Sequence, residues 1–438
     1  MDLVPYLVNI LVVLLVALAF PLASAIPPLG ELIRWLDTLS YRWQIPSAPQ
    51  PESSRLQVID IDADSLSAAG ARPAPVDRSY VADLIARAAS GAPAAIVLDI
   101  DLRHRLRPRF EAAAEVLPFD AAFLEKLDRD DEALVAAVNG ALAAGIPVVL
   151  GAIGEASESG SYLPYDFGSG RLYEGIASAW SSPVDRVVYR LPTFVAEPRS
   201  SAGAAVPAAR PSLALAGWAA ASGISAPALV RGEPSAPERW ADDLQRFRDG
   251  REIYVNWYRL NPTGASPLIP RRSAASLLGS EAALQAIEGR IVLVGRSAFL
   301  QEPIQEQRDR HPTPFLGRQI LGLDLQAVFL DNLLNRTWLS RASWLSSLAF
   351  GAASGILLGS GFIWLGRLVE GQGGQGLWAA FFTNPLLSFF LALVVSLVVG
   401  WGASRIFLQQ GVYMLSIALI PLSGLLEAIL YTAWVNRG

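Results

Sequence analysis

Long apolar runs lie at both ends of this chain, and a region of mixed polarity separates them. The first run is Leu3–Leu29, and three more follow near the carboxyl terminus: Trp344–Trp364, Leu377–Trp401 and Val412–Trp434. A helix rises about 1.5 Å per residue, so each run is long enough to cross the roughly 30 Å hydrocarbon core of a bilayer. The pattern predicts four membrane-spanning helices, one before and three after a large polar region.

The remaining sequence divides by its periodicity into a short connecting segment and one large domain. Between Gly30 and Trp43, leucine and isoleucine recur at intervals of three and four residues, as they do on the apolar face of a helix. We therefore predict four regions. They are a transmembrane anchor at 1–29, an amphipathic stalk helix at 30–45, a large domain outside the bilayer at 46–337 and a three-helix transmembrane bundle at 338–438.

Short apolar runs alternate with helical patterns through the large domain. Leu56–Asp62 and Ala94–Asp101 are typical of buried strands, and Ser79–Ala89 between them is typical of a helix that begins on a serine cap. Further helices are predicted at Glu132–Ala144, Leu213–Ala221 and Leu323–Leu334, and further strands at Ile146–Ile153, Ile253–Tyr258 and Ile291–Val294. Strand, helix and strand in alternation favour an α/β domain with a largely parallel sheet.

Composition and charge narrow the classes of partner. The chain has 438 residues, 52% of them hydrophobic, with a formal net charge of -5 and no cysteine. A weakly negative net charge is not typical of a nucleic-acid-binding protein, which usually has a basic surface. The lack of cysteine excludes disulfides, thiolate zinc sites and cysteine nucleophiles. We therefore expect a membrane and other proteins as partners, and no nucleic acid.

Paired aspartates end the first two predicted strands. The candidate ligand or ion residues are Asp60, Asp62, Asp99 and Asp101, together with Arg78. If the two strands are neighbours, these carboxylates gather at the carboxyl end of the sheet, where open α/β folds bind ligands. Oxygen ligands would suit calcium or magnesium. In the alternative interpretation Arg78, Arg103 or Arg105 neutralises the aspartates, or they cap the following helices.

No catalytic group stands out in the sequence. No serine lies in a nucleophile elbow, and the two histidines are isolated in arginine-rich stretches. The sequence thus predicts a protein that is not an enzyme and has no cofactor apart from a calcium or magnesium ion at the aspartates. A divalent-metal-dependent hydrolase that uses these aspartates is a further alternative.

Two features of the predicted membrane spans indicate helix packing or contact with a partner. Gly351, Gly355 and Gly359 recur every fourth residue, a spacing that lets helix backbones approach closely within the chain or across a dimer. Glu427 lies inside the last span, where a carboxylate is costly and often functional. A position near the interface is an equal alternative for Glu427.

Several short segments in the middle of the chain, taken together, resemble a known family. They are Val58–Asp62, Ala94–Ile100, Asp185–Pro192, Pro211–Leu215, Asn256, Gly289–Gly295, Thr313, Pro314, Gly322 and Leu330–Leu334. In order and spacing these segments resemble the type 2 CHASE family, extracellular sensory modules associated with bacterial cyclases and histidine kinases. The resemblance implies a multi-pass protein of the bacterial inner membrane, with the domain in the periplasm and both termini in the cytoplasm. Arginine counts near the span ends favour the opposite orientation, so this orientation follows from the resemblance alone.

The sequence departs from the family pattern at three places. Residues 71–78 keep prolines and an arginine but lack a tryptophan, Gln326 replaces a histidine, and only four residues follow Trp434. We therefore expect a version without its own output domain, which acts through a separate membrane protein or as a homo-oligomer. The alternative is a structural accessory subunit of a larger membrane complex.

Overall fold

The computed structural model of this chain contains two compact units. The central unit is Gln50–Trp338, and the terminal unit combines Met1–Pro49 with Leu339–Gly438. The described residues are 7–15, 27, 41–42, 55–68, 77–102, 107, 121–152, 167, 171–179, 181, 186–196, 209–231, 237–249, 253–257, 269–297, 310–314, 319–341, 343–371, 394, 398, 402, 406–407 and 412–413.

Strands and helices alternate along the central unit. The strands are β1 (Leu56–Ile61), β2 (Ala95–Asp99), β3 (Val148–Ala152), β4 (Leu172–Ile176), β5 (Phe194–Ala196), β6 (Ala209–Pro211), β7 (Ile253–Tyr254), β8 (Arg271–Ser273), β9 (Ile291–Arg296), β10 (Arg310–Pro312) and β11 (Gln319–Leu321). The helices are α1 (Ala63–Ala68), α2 (Arg78–Ser90), α3 (Ala121–Ala143), α4 (Leu213–Ser222), α5 (Ala226–Arg231), α6 (Glu238–Arg248), α7 (Ala274–Gly279), α8 (Glu281–Gln285) and α9 (Gly322–Asn335). In the terminal unit follow β12 (Leu339–Arg341), α10 (Trp344–Gly371) and β13 (Val412–Tyr413).

Six strands of the central unit form one sheet in the order β4-β3-β2-β9-β1-β8. Every neighbouring pair in this sheet is parallel. All six residues of β1 are buried, as expected for a parallel strand that is covered on both faces. The predicted α/β fold with a largely parallel sheet is confirmed.

Helices cover both faces of the sheet because alternate strand residues point to opposite sides. Ile59 and Ile61 belong to a core cluster that includes apolar residues of α2, α3, α7 and α8. On the opposite face, Gly217 of α4 approaches Val97 of β2 so closely that an added Cβ would lie 3.0 Å from a methyl group. Helix α9 packs beside α4 on that face, where Leu330 lies next to Gly217.

The observed helix boundaries correct two predictions. Helix α2 begins at Arg78 and its N-cap is Asp77 rather than a serine, because the Asp77 carboxylate accepts hydrogen bonds from the Ser79 N–H (3.0 Å) and hydroxyl. Helix α3 begins at Ala121 rather than at Glu132. Its early turns carry many charged residues, so the apolar residues there do not show a clear helical spacing in the sequence.

Helix α9 is buried along nearly its whole length although it carries polar residues. Its Asn332 side chain accepts a hydrogen bond from the Asn256 N–H (2.6 Å) and donates one to the Asn256 carbonyl (3.0 Å). Both asparagines are fully buried. This double contact joins the carboxyl-terminal half of α9 to the segment after β7.

The terminal unit contains a helical segment at residues 7–15, the helix α10 and the parallel pair β12 and β13. Asn9 donates hydrogen bonds to the Ile356 carbonyl (3.3 Å) and the Ser360 hydroxyl (3.2 Å), which joins the amino-terminal helix to α10.

Helix α10 covers the predicted span Trp344–Trp364. Within the described ranges, no helix combines the length and the apolar character that a membrane crossing requires. The spans predicted at Leu377–Trp401 and Val412–Trp434 lie almost entirely outside those ranges, as does most of Leu3–Leu29.

Candidate functional site

The ends of three adjacent parallel strands form the candidate site. Asp60 of β1 lies in register with Gly295 of β9 on one side and with Ser273 of β8 on the other. The carboxyl edge of an open parallel sheet is where α/β folds usually bind ligands. We call Asp60, Asp62, Arg271, Ser273 and Ser297 the β1-end cluster.

Asp60 is buried and its carboxylate receives three hydrogen bonds. The Ser297 N–H donates to Oδ1 at 3.0 Å, and the Ser297 hydroxyl donates to Oδ2 at 2.7 Å. Arg271 Nε donates to the same Oδ2 at 3.0 Å. Because charge-assisted hydrogen bonds are short and strong, Asp60 holds Ser297, the residue after β9, and the edge strand β8 to the end of β1.

Arg271 connects this cluster to α9. Its Nη1 donates to Asp324 Oδ1 at 2.9 Å while its Nε is bound to Asp60, so that one guanidinium lies between two carboxylates. Asp324 is in the first turn of α9, and both carboxylate side chains are 9% exposed. The remaining nitrogen, Nη2, is buried without a hydrogen-bond partner in the described structure. Arg271 thus joins the end of β1 to the first turn of α9.

Asp62 lies just beyond β1 and begins α1. Its Oδ1 accepts hydrogen bonds from the Ser65 N–H (2.8 Å), the Ser65 hydroxyl and the Ser273 hydroxyl (3.0 Å). Burial alone would raise the pKa of Asp62, but these hydrogen bonds outweigh it and hold the pKa below its ordinary value. Of the alternatives left open by the sequence, helix capping is the one observed at Asp62.

Ser65 extends the cluster to a second helix. Its hydroxyl lies 2.6 Å from the Ser273 hydroxyl and accepts a hydrogen bond from the Ala275 N–H at 3.1 Å. The first turns of α1 and α7 are thus joined through one fully buried serine.

The four aspartates at the strand ends do not converge. They would converge only if β1 and β2 were neighbours, but β9 lies between these strands, and Asp60 and Asp99 both pair in register with Gly295. Two strand spacings separate their backbones by about 10 Å. Asp62 and Asp101 lie beyond the strands, since β1 ends at Ile61 and β2 ends at Asp99.

Gly295 allows α9 to approach the sheet between these aspartates. A Cβ at this position would lie 2.4 Å from Leu323 Cδ1 and 3.3 Å from the Asp99 Cβ. The first turn of α9 therefore occupies the space above the strand that separates Asp60 from Asp99.

No group of three or more histidine, aspartate or glutamate side chains is placed to hold a metal ion in the described part of the chain. Donors of the protein already engage Asp60 and Oδ1 of Asp62, and calcium or magnesium binding at the aspartates stays a prediction.

Arg78 lies in a second charged cluster, at the corner of α2 and α3. Its guanidinium pairs with Asp131 of α3, and the two side chains are 5% and 9% exposed. Burial lowers the pKa of Arg78, whereas the charges of Asp131 and Asp101 raise it. Arg78 therefore interacts with Asp101 through its charge, but Arg271 is the observed partner of Asp60. Arg103 and Arg105 lie outside the described residues.

The same corner contains a carboxylate with few donors. Asp130 is 10% exposed and lies 3.5 Å from Lys126 Nζ. Burial raises the pKa of Asp130, the neighbouring Asp77 and Asp131 add to this effect, and Lys126 opposes it. We call Asp77, Arg78, Lys126, Asp130 and Asp131 the α2–α3 corner.

The predicted packing residues in the terminal unit are partly described. Gly351, Gly355 and Gly359 are all buried in α10, next to the turn that contacts Asn9. Glu427 lies outside the described residues.

Sequence reasoning missed Arg271, Ser297 and Asp324. Arg271 follows a proline and precedes a second arginine, and nothing in that pattern shows which of the two arginines faces β1. Ser297 lies three residues after the predicted strand Ile291–Val294, and no sequence pattern marks it as a partner of Asp60. Asp324 begins an apolar helix, where its acidic position in the first turn indicates a helix start rather than a site.

Gln326 makes a further polar contact of α9. It is buried, its Nε2 lies 3.4 Å from the Ser178 carbonyl, and its Oε1 has no hydrogen-bond partner in the described structure. Asp324 and Gln326 lie two residues apart, which places them on different sides of the helix.

The comparisons with known proteins give one match. A family model described as CHASE2 domain matches residues 10–365. No curated protein and no solved structure matches the chain.

Proposed function

This chain belongs to the CHASE2 domain family of extracellular sensory domains, and on that premise we propose that its central unit detects a small molecule or a protein at the β1-end cluster. The domain family is sensory rather than catalytic. The observation that carries the proposal is the bridge Asp60–Arg271–Asp324, which connects the carboxyl edge of the sheet to α9.

Helix α9 is the element that passes the signal on in this proposal. It carries Asp324 in its first turn, is buried along its length, and is anchored by Asn332 to the segment at Asn256. A packed helix moves as a rigid body, so a shift of Arg271 at one end changes the position of the residues that follow Asn335 at the other.

We further propose that the large domain lies in the periplasm of a bacterial cell and that the flanking apolar segments anchor it in the inner membrane, with both termini in the cytoplasm. The family supports the extracellular position of the domain. In the terminal unit, large apolar side chains such as Leu345 (63% exposed), Leu357 (73%) and Trp364 (58%) face outward, which favours an apolar environment. The output would then lie on a separate membrane protein or in a homo-oligomer.

Cysteine labelling tests the orientation with little background, because the natural sequence contains no cysteine. Asp242 is exposed on α6, so Asp242→Cys should react with a membrane-impermeant maleimide in intact cells. Labelling that occurs only after lysis would contradict the extracellular position. The cysteine-free parent is the control.

Ligand detection is tested with the full-length protein in detergent. Amino acids, dicarboxylates and sugars are titrated while the thermal unfolding midpoint is recorded. We expect a ligand that raises Tm in the parent and has a weaker effect in Arg271→Lys, because lysine cannot donate to both carboxylates as the guanidinium fork does. Glu238→Gln on the exposed start of α6 is the matched surface control.

A second function is a structural accessory subunit of a membrane complex. The hydrogen bonds that Asp60 accepts on both oxygens and that Asp62 accepts on Oδ1 favour it, because donors of the protein itself already engage these carboxylates. Under this alternative, no ligand would shift Tm, and a membrane partner would co-purify equally with the parent and with Arg271→Lys.

The divalent-metal hydrolase is the third hypothesis, and metal retained by the parent but lost from Asp99→Ala in native mass spectrometry would favour it.

A further inference from the structure

The residue that ends α9 has an unusual backbone conformation. Arg336 has φ 53° and ψ 37°, in the left-handed region. The Thr337 N–H donates to the Asn332 carbonyl (3.0 Å) and the Arg336 N–H to the Leu333 carbonyl (3.4 Å), which is the Schellman pattern of helix ends. Glycine normally occupies this position because it has no Cβ, so other contacts must hold an arginine there.

Those contacts come from α6. The Arg336 guanidinium lies 4.3 Å from the centre of the Trp240 ring, a cation–π distance. Its Nη2 lies 2.8 Å from Asp243 Oδ2 and donates to the Arg239 carbonyl. The Arg336 side chain is 48% exposed, so water can compete for each of these contacts.

Aromatic side chains hold the last residue of the central unit to the same helix. Trp338 packs edge-on against Phe247 of α6 with ring centres 5.3 Å apart. Trp218 of α4 packs against both Phe247 (5.4 Å) and Trp240 (5.3 Å). Residues 336 and 338, on either side of Thr337, are therefore both attached to α6.

This arrangement also contains unfavourable terms. The indole N–H groups of Trp218 and Trp240 are buried without a hydrogen-bond acceptor in the described structure, whereas that of Trp257 donates to the Val188 carbonyl at 3.2 Å. Buried donors that lack an acceptor destabilise the state that buries them. The left-handed arginine opposes the same state. This network combines attractive contacts that are exposed to water with buried donors that lack an acceptor. Such opposing contributions are typical of an element with two accessible conformations.

We infer that Arg336, Trp240 and Asp243 form a releasable clamp at the end of α9. With the clamp closed, the chain turns sharply at Arg336 and Trp338 stays packed on α6. With the clamp open, residue 336 adopts right-handed helical angles and α9 extends towards Thr337. This inference rests on the proposed function in one respect: α9 also carries Asp324, so that the same helix joins the β1-end cluster to the clamp.

Hydrogen exchange of the ligand-free full-length protein in detergent, measured by mass spectrometry, tests the clamp. Arg336→Ala should accelerate exchange of the amides at 336–338 and of α6 by about tenfold, a change of roughly the size expected for losing a cation–π contact and an exposed ion pair. Exchange in β1 and β9 should stay unchanged. Arg239→Ala is the matched control, since Arg239 also lies over Trp240 (5.5 Å) but does not occupy the left-handed position.

Arg336→Gly separates a clamp from a simple helix cap. Glycine suits the left-handed position but has no side chain, so the cap amides should stay protected while α6 exchanges faster. Unchanged exchange in α6 would show that residue 336 only caps α9, and equal acceleration in all regions would show global destabilisation; either result overturns the clamp.

If Arg336→Ala does not fold, Arg336→Lys should give a smaller acceleration of the same amides, and no acceleration would again overturn the clamp. Because no ligand is used, failure here is distinguishable from failure of the proposed sensing.

Discussion

The β1-end cluster and the α2–α3 corner both bring carboxylates together with an arginine, but the pKa values of Asp62 in the first and Asp130 in the second are shifted in opposite directions. Asp62 is surrounded by hydroxyl and backbone donors, and its pKa is lowered despite burial. Burial raises the pKa of Asp130, which lies near two other carboxylates with Lys126 as its ion-pair partner. The number of donors within reach, together with burial, determines the direction in which each of these two pKa values is shifted.

The two clusters also differ in where their strongest contacts lead. Asp60 and Arg271 connect different layers of the fold, namely two strands and α9. Arg78 and Asp131 connect two helices on one face of the sheet. The first arrangement joins the sheet to α9, whereas the second joins one pair of helices.

The largest expected effect is the loss of Arg78. Arg78→Met leaves the buried Asp131 without its cation, and breaking a buried pair in this way costs about 3–5 kcal/mol. Chemical unfolding of the full-length protein measures this. The double variant Arg78→Met/Asp131→Leu removes both charges and should recover most of the loss. If Arg78→Met lowered the free energy of unfolding by less than about 1 kcal/mol, Arg78 and Asp131 would not behave as a buried ion pair.

Asp60→Asn is expected to have the next largest effect. The amide accepts more weakly than the carboxylate at Ser297 and Arg271, and hydrogen bonds to charged groups contribute about 1.5–3 kcal/mol. Ser297→Ala removes the hydroxyl but keeps the backbone donor, so it should cost less in the same unfolding experiment. Equal losses for the two variants would argue against a central role of the Asp60 charge.

A smaller, pH-dependent effect distinguishes Asp62 from Asp130. The lowered pKa of Asp62 stabilises the folded state above the unfolded pKa of about 3.8, and this contribution is lost as pH falls through the lower folded pKa. Asp62→Asn should therefore reduce Tm at neutral pH, and the difference from the parent should shrink in acid.

Asp130→Asn should show the opposite sign. The raised pKa of Asp130 means that its charge destabilises the folded state above that pKa, and protonation relieves this as pH falls. Asp130→Asn should raise Tm at neutral pH and lose its advantage in acid. If the Tm difference from the parent varied with pH in the same direction for Asp62→Asn and Asp130→Asn, the contrast between these two aspartates would be wrong.

The smallest effect is expected at an exposed pair on the same face as the corner. Arg87 and Glu281 are 2.6 Å apart, but the glutamate is 78% exposed. Glu281→Gln should change the free energy of unfolding by less than about 0.5 kcal/mol in the same experiment, since exposed pairs contribute little. A loss comparable to that of Arg78→Met would mean that burial does not separate the two pairs.

Much of the fold could be predicted because its signals are local. The apolar runs at β1, β2, β3 and β9 and the helical patterns at α2, α4 and α9 identified the α/β architecture to within a few residues. Their boundaries depend on caps such as Asp77 and Asp62, and the sequence does not show which of several polar residues near a helix start provides the cap. The candidate site was predicted in part, since Asp60 and Asp62 do lie at the carboxyl edge of the sheet.

The sequence by itself determined the alternation of strands and helices, because period and length are properties of neighbouring residues. Only the tertiary structure decided that β9 inserts between β1 and β2, and hence that Asp60 and Asp99 are held apart. It also decided the partners of Asp60, which lie 211 residues away at Arg271 and 237 residues away at Ser297. The physical reason is that hydrogen bonds and ion pairs act over a few ångströms in space, whatever the separation along the chain.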